Sequence, residues 1–289
     1  MVKPTVGVSI IAANYNNGRY LADFIGSIDH SGVLPKELII IDDGSTDESL
    51  RIMDEFSSLS YLKIIKFEKN RGFCIALNEG IKEATGEYIM RADPDDIITE
   101  DRIRIQVEFL EKHIDIDVVG SNVLYFSNLT KKNLCKSNFP LKHLSILKEY
   151  RKGDHGVQHP STMIRAGVMK KYLYDQKNVK AEDYEIFARM IHDGYKFANI
   201  AQPLTKMRVH SQSISSNICY ETIKRTFGIR DEIFGTSTSK IKMKLYYCYI
   251  SNYRKFLISN NLGLKMFFLT ASIVCNPQKF IKRFFFLNE

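Results

Sequence analysis

Apolar, β-branched runs alternate with helical patterns over the first hundred residues. The runs at residues 5–13 (TVGVSIIAA), 37–41, 61–67 and 88–90 have the composition of short strands that are buried on both faces. Between the first two runs, residues 20–28 place apolar side chains at the three-to-four spacing of one helix face. The alternation of strand and helix through four strands predicts a parallel sheet with right-handed crossovers.

The pattern continues beyond the fourth strand. Residues 99–113 have helical spacing, residues 116–126 form a mixed apolar strand, and residues 204–210 alternate like a strand. Between the second and third strands, Ser45 and Glu48 have the spacing of a capping box, which predicts a helix start at that point.

Polar side chains follow the end of each of the first four strands. They are Asn14 and Tyr15, Asp42 and Asp43, Asn70 and Arg71, and Asp93 and Asp95. The carboxyl ends of parallel strands share one edge of a sheet, where ligands bind in open α/β folds, so we expect these side chains to converge. Taken singly, the asparagines also fit ordinary turn chemistry. A nucleotide suits the whole set, because the Asp43 carboxylate can accept from a base N–H and the Tyr15 ring can stack on a base.

The fourth strand stops at Asp93-Pro94-Asp95-Asp96. Pro94 has no N–H to donate and ends the pairing, so the carboxylates crowd together at the strand end. Without a cation they would repel one another and some would protonate. Mg²⁺ or Mn²⁺ would remove the repulsion and complete its coordination with water and substrate phosphate. A solvated acidic turn that precedes the helix at residues 99–113 is the alternative.

Composition is that of an ordinary globular protein, but its charge is uneven. Five cysteines are far apart and contain no CxxC pair, which favours reduced thiols and a cytosolic location over a disulfide framework or a zinc site. The first 16 residues contain one lysine and run into a strand pattern, which makes a poor signal peptide. From Glu221 onward there are 12 Lys and Arg against 4 Asp and Glu, whereas the first 220 residues have 29 of each.

Two nucleotide-binding classes are disfavoured by missing motifs. The sequence has no GxxxxGK[ST] motif, which argues against a P-loop NTPase. It also has no GxGxxG after the first strand, which argues against a dinucleotide-binding Rossmann enzyme.

Several motifs together resemble the family 2 glycosyltransferases. They are VSIIAANYN, ELIIIDDGSTDES, NRGFCIALNEGIKEATGEYI, MRADPDDIITEDR, QHPSTM, AEDYEIFARM and KMRVH, in that order over about the first 215 residues. The resemblance implies an α/β fold of the GT-A type, with a mostly parallel sheet flanked by helices and a C-terminal helical extension. It also implies a nucleotide-sugar donor, a Mn²⁺ or Mg²⁺ cofactor, and a role in surface-polysaccharide synthesis such as O-antigen or capsule.

The resemblance also implies site residues. For nucleotide binding they are Ala13, Tyr15, Asp43, Arg71 and Asp93; for the metal, Asp93, Asp95 and His210; for catalysis, Asp183 as the base; and for the acceptor, Glu182 and His159. Many relatives have Pro-Thr where this chain has Ala13-Asn14, so a base contact from that threonine does not carry over. Without the family match, two acids at a helix start would be explained by the helix dipole alone. A loop with His155 and His159 could hold a metal, but acceptor contact is favoured.

The region from residue 216 to 289 is predicted to be a basic, aromatic, helical extension of a catalytic domain at residues 1–215. Within that domain, residues 1–98 are expected to bind the nucleotide sugar and residues 99–215 the acceptor. The longest apolar stretch of the extension falls short of the roughly 20 residues that span a bilayer. Basic helices with aromatic faces favour peripheral contact with an anionic membrane surface. Packing on the catalytic domain is the alternative, and no nucleic-acid-binding motif accompanies the charge.

These observations predict a metal-dependent, inverting glycosyltransferase that works at the cytoplasmic face of the cell membrane. Its expected donor is a UDP-sugar and its expected acceptor is a saccharide, with a lipid-linked saccharide favoured. Two alternatives are a sugar nucleotidyltransferase and a non-catalytic partner that binds nucleotide sugars. The first normally has a Gly-rich loop with a basic residue after the first strand, where residues 12–18 are instead rich in asparagine.

Overall fold

The computed structural model describes residues 3–210, 219–259 and 261–277. The chain divides into two compact units, the first ending at His210 and the second beginning after it. The predicted boundary at residue 215 lies outside the described residues. Each unit is described by itself.

Four parallel strands form the first half of the sheet. They are β1 (Thr5–Asn14), β2 (Leu34–Asp42), β3 (Leu62–Lys66) and β4 (Tyr88–Arg91), and they lie in the order β3-β2-β1-β4. The connecting helices are α1 (Gly18–Asp29), α2 (Ser49–Glu55) and α3 (Phe73–Glu83). The strand and helix alternation predicted from the sequence is confirmed.

The core of this half lies between α1 and the sheet. Leu21, Phe24 and Ile25 of α1 are fully buried in one cluster with Ile10 of β1 and Ile40 of β2. Burial of each such side chain contributes about 1.5–3 kcal/mol. This packing fixes the strand ends relative to one another.

The second half extends the sheet with strands of both directions. Its elements are β5 (Ile97–Ile98), α4 (Arg102–Lys112), β6 (Val118–Ser127), β7 (Asn133–Lys136), α5 (His143–Tyr150), β8 (Met163–Arg165), α6 (Ala166–Met169), α7 (Glu182–His192) and β9 (Phe197–Val209). From β4 the order continues β8-β6-β9-β5, with β7 paired to β6. Strand β8 is antiparallel to both of its neighbours, whereas β6 and β9 are parallel. The described sheet is therefore mixed, and the α/β fold class is confirmed.

The predicted capping box is wrong. Helix α2 starts at Ser49, and the Ser45 hydroxyl donates to Asp42 Oδ1 at 2.6 Å and accepts the Asn16 N–H at 2.9 Å. Ser45 thus ties the loop after β2 to the loop after β1. A carboxylate within reach attracts the hydroxyl more strongly than a helix N–H does, because hydrogen bonds to charged groups are stronger.

The second unit contains three described helices. They are α8 (Tyr220–Phe234), α9 (Lys240–Ile258) and α10 (Leu262–Cys275). Tyr249 of α9 is 1% exposed, and its carbonyl accepts from the Ser272 hydroxyl of α10 at 3.2 Å. The helical extension is confirmed for the described residues. Within the described parts of the chain, no helix combines the length and the hydropathy needed to cross a bilayer.

Candidate active site

The carboxyl ends of β1, β2 and β4 meet at one edge of the sheet. The Asp43 N–H, just past β2, donates to the Asn14 carbonyl of β1 at 2.8 Å. The Ala92 N–H, just past β4, donates to the Ile11 carbonyl of β1 at 3.2 Å. The polar residues that follow these strands therefore share one edge, as the sequence predicts.

The acidic loop after β4 brings three carboxylates together. Oxygen atoms of Asp93, Asp95 and Asp96 all lie within 4.8 Å of one another. The first two side chains are partly exposed, whereas Asp96 is only 3% exposed. The loop closes on itself through a bond from the Asp96 N–H to the Asp93 carbonyl at 3.1 Å.

Burial and mutual repulsion raise the pKa values of the carboxyl groups in this cluster. Burial is the main cause that raises the pKa of Asp96 well above its usual range, and the charges of Asp95 and Asp93 add to the effect. Burial also raises the pKa of Asp93, although Arg91 opposes the rise. A cation beside these carboxylates would lower their pKa values and favour the ionised form.

The described residues of the cluster fit a divalent cation. His210 Nε2 lies 2.9 Å from Asp95 Oδ2, so a ring nitrogen joins the oxygens. Within the described part of the chain, Asp96 Oδ2 and His210 Nδ1 are buried and have no hydrogen-bond partner. Two carboxylates with an imidazole suit Mn²⁺, and the carboxylates alone suit Mg²⁺. The structure thus brings Asp93 and Asp95 together, places His210 beside Asp95 and adds Asp96 to the cluster.

Arg208 of β9 holds the acidic loop in place through hydrogen bonds. Its backbone N–H donates to Asp96 Oδ1 at 2.9 Å, and its Nε donates to the Asp95 carbonyl at 2.8 Å. Its Nη2 donates to Asp23 Oδ2 of α1 at 2.8 Å. The guanidinium also lies over the rings of Tyr20 and Phe126, at 4.8 and 4.9 Å from their centroids. Arg208 is 4% exposed, so it is a structural clamp on the loop.

Arg91 is a second buried cation at the site. It ends β4, is 4% exposed and forms an ion pair with Asp93. Its Nη1 also donates to the Ile11 carbonyl at 3.4 Å, and its guanidinium lies 5.3 Å from the centre of the Phe73 ring. The sequence analysis did not single out Arg91. The signal was its place one residue before the acidic loop.

The predicted nucleotide residues lie along the β1, β2 and β3 side of this edge. Tyr15 is 47% exposed, so its ring is free to stack on a base. Ala13 is buried in β1, where it pairs with Ile41. Its side chain is therefore not open to a ligand, and only the residues next to it in the chain can face one. Arg71 is exposed, and its guanidinium lies 4.6 Å from the centre of the Phe67 ring.

Asp43 holds the loop that precedes α3. It is 3% exposed, and its two oxygens accept the N–H groups of Arg71 at 2.7 Å and Gly72 at 2.9 Å. Gly72 has a φ of +104°, which a residue with a Cβ rarely adopts. These contacts show that Asp43 positions the loop. Each carboxylate oxygen still has a lone pair, so a contact with the nucleotide base stays a prediction.

Glu182 and Asp183 open α7 with contrasting electrostatics. Burial alone would raise the pKa of Asp183, but the adjacent His155 outweighs it and holds that pKa well below its usual range. Burial, followed by the charge of Asp183, raises the pKa of Glu182 to about 7. Asp183 Oδ1 accepts the Tyr184 N–H at 2.7 Å, and His155 Nε2 lies 3.3 Å from Asp183 Oδ2. Asp183 is therefore ionised at neutral pH.

The donor half and the predicted base share one electrostatic environment. The charge of Asp183 raises the pKa of Asp93, and Arg91 lowers the pKa of Glu182. These couplings join the end of β4 to the start of α7. They relate the predicted base to the acidic cluster.

His159 is buried among aromatic side chains. It is 7% exposed, and Nε2 lies 2.6 Å from the Tyr174 hydroxyl. Its ring is flanked edge-on by Tyr174 and Phe187, and burial lowers its pKa to about 3. Acceptor binding by His159 stays a prediction that this burial does not favour. Its neighbour in sequence, His155, is the histidine that reaches Asp183.

The described chain has an α/β fold with an acidic cluster at the carboxyl edge of its sheet. Comparisons with known proteins give the family. The family model described as "Glycosyl transferase family 2" matches residues 9–173. The chain is 29% identical over 270 residues to the Escherichia coli UDP-Gal:alpha-D-GlcNAc-diphosphoundecaprenol beta-1,3-galactosyltransferase, with 90% of each chain covered.

Two solved structures share the fold. The Staphylococcus aureus TarS fragment 1–349 in complex with UDP-GlcNAc has a TM-score of 0.64 at 20% identity, covering 95% of this chain and 80% of that one. The mannosyltransferase PcManGT of Pyrobaculum calidifontis, in complex with GDP-Man and Mn²⁺, has a TM-score of 0.59 at 13% identity, covering 98% and 84%.

The chain belongs to glycosyl transferase family 2 and is a transferase enzyme of the GT-A fold. The resemblance on which the sequence analysis rests is confirmed. Family membership also favours the transferase over the two alternatives, the nucleotidyltransferase and the non-catalytic binding partner.

Proposed function

We propose that this enzyme transfers a sugar from a UDP-sugar to a hydroxyl of a lipid-linked saccharide, with inversion and with a divalent cation. The single observation that carries the proposal is the cluster of Asp93, Asp95 and Asp96 in electrostatic contact with Asp183. The Escherichia coli relative is named for a UDP-linked donor and a diphosphoundecaprenol acceptor, which supports both substrate classes.

The donor side would use the acidic cluster and the loops beside it. Asp93, Asp95 and His210 would hold Mn²⁺ or Mg²⁺, with Asp96 as a further oxygen donor. When bound, the cation would offset the charge that grows on the leaving diphosphate. Tyr15 would stack on the uracil, because its ring is exposed at the same edge of the sheet.

Arg71 and Arg91 would have different roles toward the diphosphate. Arg71 is exposed at the start of α3, so its guanidinium can reach a phosphate oxygen. Arg91 is buried and paired with Asp93, so it keeps that carboxylate ionised and in place. The opposing effects of burial and Arg91 on the pKa of Asp93 support this division.

The acceptor side would use Asp183 as the general base. The acceptor oxygen forms a bond to the anomeric carbon while its O–H bond breaks, and the proton passes to Asp183. The bond between that carbon and the diphosphate oxygen breaks, and the leaving group takes the electron pair. Asp183 suits the task because it is ionised at neutral pH. Positioned bases of this kind contribute about 10²–10⁴-fold to the rate.

The second unit would hold the enzyme peripherally on an anionic membrane, at the inner face where such lipid-linked acceptors are elongated. Large apolar side chains are exposed on α10, with Leu262 at 75%, Phe267 at 64% and Val274 at 76%. Lys240, Lys242 and Lys244 at the start of α9 are exposed as well. Exposed apolar groups beside lysines match the chemistry of an anionic bilayer interface.

A donor screen tests the proposal. The protein is incubated with Mn²⁺, a panel of UDP-, GDP-, CMP- and TDP-sugars, and a diphosphopolyprenyl-linked saccharide, and the extended lipid product is measured. We expect one UDP-sugar to be transferred and to raise the melting temperature in the presence of Mn²⁺. Transfer from a GDP-sugar alone, or no dependence on an acceptor, would contradict the proposal.

A further inference from the structure

His155 is held beside the predicted base by a loop that packs tightly on α5. The loop at residues 153–156 folds back onto the end of α5, with the Gly153 N–H on the Tyr150 carbonyl at 2.9 Å and the Asp154 N–H on the Glu149 carbonyl at 3.0 Å. A Cβ at Gly156 would come within 2.7 Å of Ile146 Cγ2, so the loop is packed tightly on α5. This packing sets the position of the His155 imidazole.

The imidazole has one side against buried aromatic rings and one side in solvent. Its ring lies edge-on to Tyr184 at 5.6 Å and to Tyr150 at 6.5 Å between centroids. Tyr184 also donates its hydroxyl to the Tyr150 carbonyl, which locks the two rings together. The His155 side chain remains 41% exposed, and its Nε2 lies 3.3 Å from Asp183 Oδ2.

Asp183 on its own is a poor store for a proton. Its Oδ1 accepts the Tyr184 N–H, and its Oδ2 faces His155 Nε2. A protonated histidine in that position lowers the pKa of Asp183, so a proton shared by the pair resides on the imidazole. A general base works best when its pKa lies near the operating pH, and the ordinary pKa of an imidazole, about 6.5, lies closer to it than that of a carboxylate.

We propose that His155 is a positioning and proton-relay residue that acts through Asp183 during sugar transfer. The inference rests on the proposed function, because it assumes that Asp183 takes a proton from an acceptor hydroxyl. The proton passes from the acceptor oxygen to Asp183 Oδ2 and then to the unprotonated Nε2 of neutral His155, and the resulting imidazolium later loses that proton to water. Neutral His155 is restored, and no oxidant or further reactant is required.

The groups around His155 decide how the relay responds to pH. On α7 it faces Asp183 and Tyr184, and Tyr150 faces it from α5. Its charge acts on His159 of the short helix at His159–Ser161, and Asp154 precedes it on the loop. The charge of Asp183 acts on Glu182, and Arg91 of β4 acts on Glu182 and His159. His155 accepts a proton only when it is neutral, and histidines become protonated as pH falls below about 6. The relay therefore predicts that kcat falls on the acid side of the pH profile.

The test compares His155→Gln with the wild-type enzyme across pH 5 to 9. Glutamine keeps a polar group near Asp183 but cannot take a proton. We expect kcat at pH 7.5 to fall about 10- to 100-fold, KM for donor and acceptor to change less than about twofold, and the acid limb of kcat to disappear. We also expect added imidazole to restore part of kcat in His155→Ala.

Three results would overturn the inference. Unchanged kcat and an unchanged acid limb would remove the relay. A rise in acceptor KM alone would make His155 an acceptor-binding residue. A lower kcat that keeps the wild-type acid limb and does not respond to imidazole would make it merely structural.

His30→Gln is the matched control, because His30 is an exposed histidine at the end of α1. It should keep wild-type kinetics and melting temperature. Failure of the proposed function is distinguishable, since the wild-type enzyme would then transfer no sugar. If it transfers sugar and Asp183→Asn does not, the His155 result bears on the relay alone.

Discussion

Adjacent acids at the start of α7 differ in protonation because their neighbours differ. Asp183 contacts His155 and stays ionised, whereas Glu182 is buried beside the Asp183 charge and has a pKa of about 7. Glu182 Oε2 is buried without a hydrogen-bond partner within the described residues. The pair thus contains one carboxylate ready to accept a proton and one carboxyl that titrates near neutrality.

Asp183→Asn should abolish most transfer while leaving donor binding intact. Asparagine keeps the size of the side chain but cannot take the acceptor proton, so we expect kcat to fall about 10²–10⁴-fold. Donor KM, or the melting-temperature rise with UDP-sugar and Mn²⁺, should not change. Asp115→Asn, an exposed acid paired with Lys196, is the control. A normal transfer rate in Asp183→Asn would show that another group is the base.

Glu182 should make stability depend on pH near neutrality. Its folded pKa is raised above the value of about 4.5 in the unfolded chain, so its stabilisation is complete below pH 4.5 and is lost as pH rises through about 7. The free energy of unfolding falls by up to about 3 kcal/mol, because the folded and unfolded pKa values differ by about 2.5 and a difference of one corresponds to 1.36 kcal/mol.

Denaturant titrations of the wild-type protein and Glu182→Gln from pH 4 to 8.5 check this. The wild-type free energy of unfolding should fall between about pH 4.5 and 7 and level off above pH 7, and the variant should lack that fall. Parallel pH profiles for the two proteins would show that Glu182 ionises without cost.

At the scale of elements, the sequence predicts what depends on periodicity and strand ends, and misses what depends on distant contacts. The first four strands and their helices follow from apolar spacing, and the acidic loop follows from the end of β4. The role of Arg208 as a clamp could not be read, because its partners Asp23 and Asp96 lie 185 and 112 residues away. Strand β7 was missed because all four of its side chains are exposed and it pairs only with β6. The His155 contact was missed because Gly153 and Gly156 read as a flexible loop.

Gly44 joins the loops after β2 and β3, so its substitution should disturb donor binding. Its φ is +72°, and a Cβ would come within 2.5 Å of the Lys69 carbonyl carbon and 2.7 Å of the Asn70 nitrogen. We expect Gly44→Ala to lower the unfolding free energy by about 1–3 kcal/mol and to raise donor KM, since Asp43 and Arg71 sit on these loops.

Gly26→Ala is the control for this substitution. Gly26 lies in α1 with no atom within 4 Å of its added Cβ, so alanine should stabilise the protein by about 0.5–1 kcal/mol. Thermal unfolding and donor kinetics of both variants decide the matter. A Gly44→Ala enzyme with wild-type stability and KM would contradict the role given to this turn.

At the scale of the whole molecule, charge is divided between a neutral catalytic unit and a basic helical one. The first 220 residues contain equal numbers of acidic and basic side chains, whereas the remainder has a surplus of eight positive charges. Five large apolar side chains of α10 are more than half exposed in the same unit as the lysines of α9. The proposed membrane attachment therefore belongs to a different unit from the proposed site of catalysis.

Reversing two lysines of α9 should weaken membrane binding without changing catalysis on a water-soluble acceptor. Each lysine near an anionic surface contributes about 1 kcal/mol, so Lys242→Glu with Lys244→Glu should reduce binding to phosphatidylglycerol vesicles by tenfold or more. Sedimentation of the full-length protein with vesicles at low salt measures this. Lys112→Glu with Lys132→Glu, at exposed positions of the catalytic unit, is the control. Equal sedimentation of both double variants would place the contact elsewhere.

Calorimetric titration of UDP into the protein, with Mn²⁺ and with EDTA, tests the central claim most directly, namely that the acidic cluster after β4 holds a cation and the cation holds the donor diphosphate. We predict that Mn²⁺ tightens UDP binding at least tenfold in the wild-type protein. Asp95→Asn should remove that gain, and Asp54→Asn, an exposed acid on α2, should keep it. Equal UDP affinity with Mn²⁺ and with EDTA in the wild-type protein, or an undiminished Mn²⁺ effect in Asp95→Asn, would contradict the account.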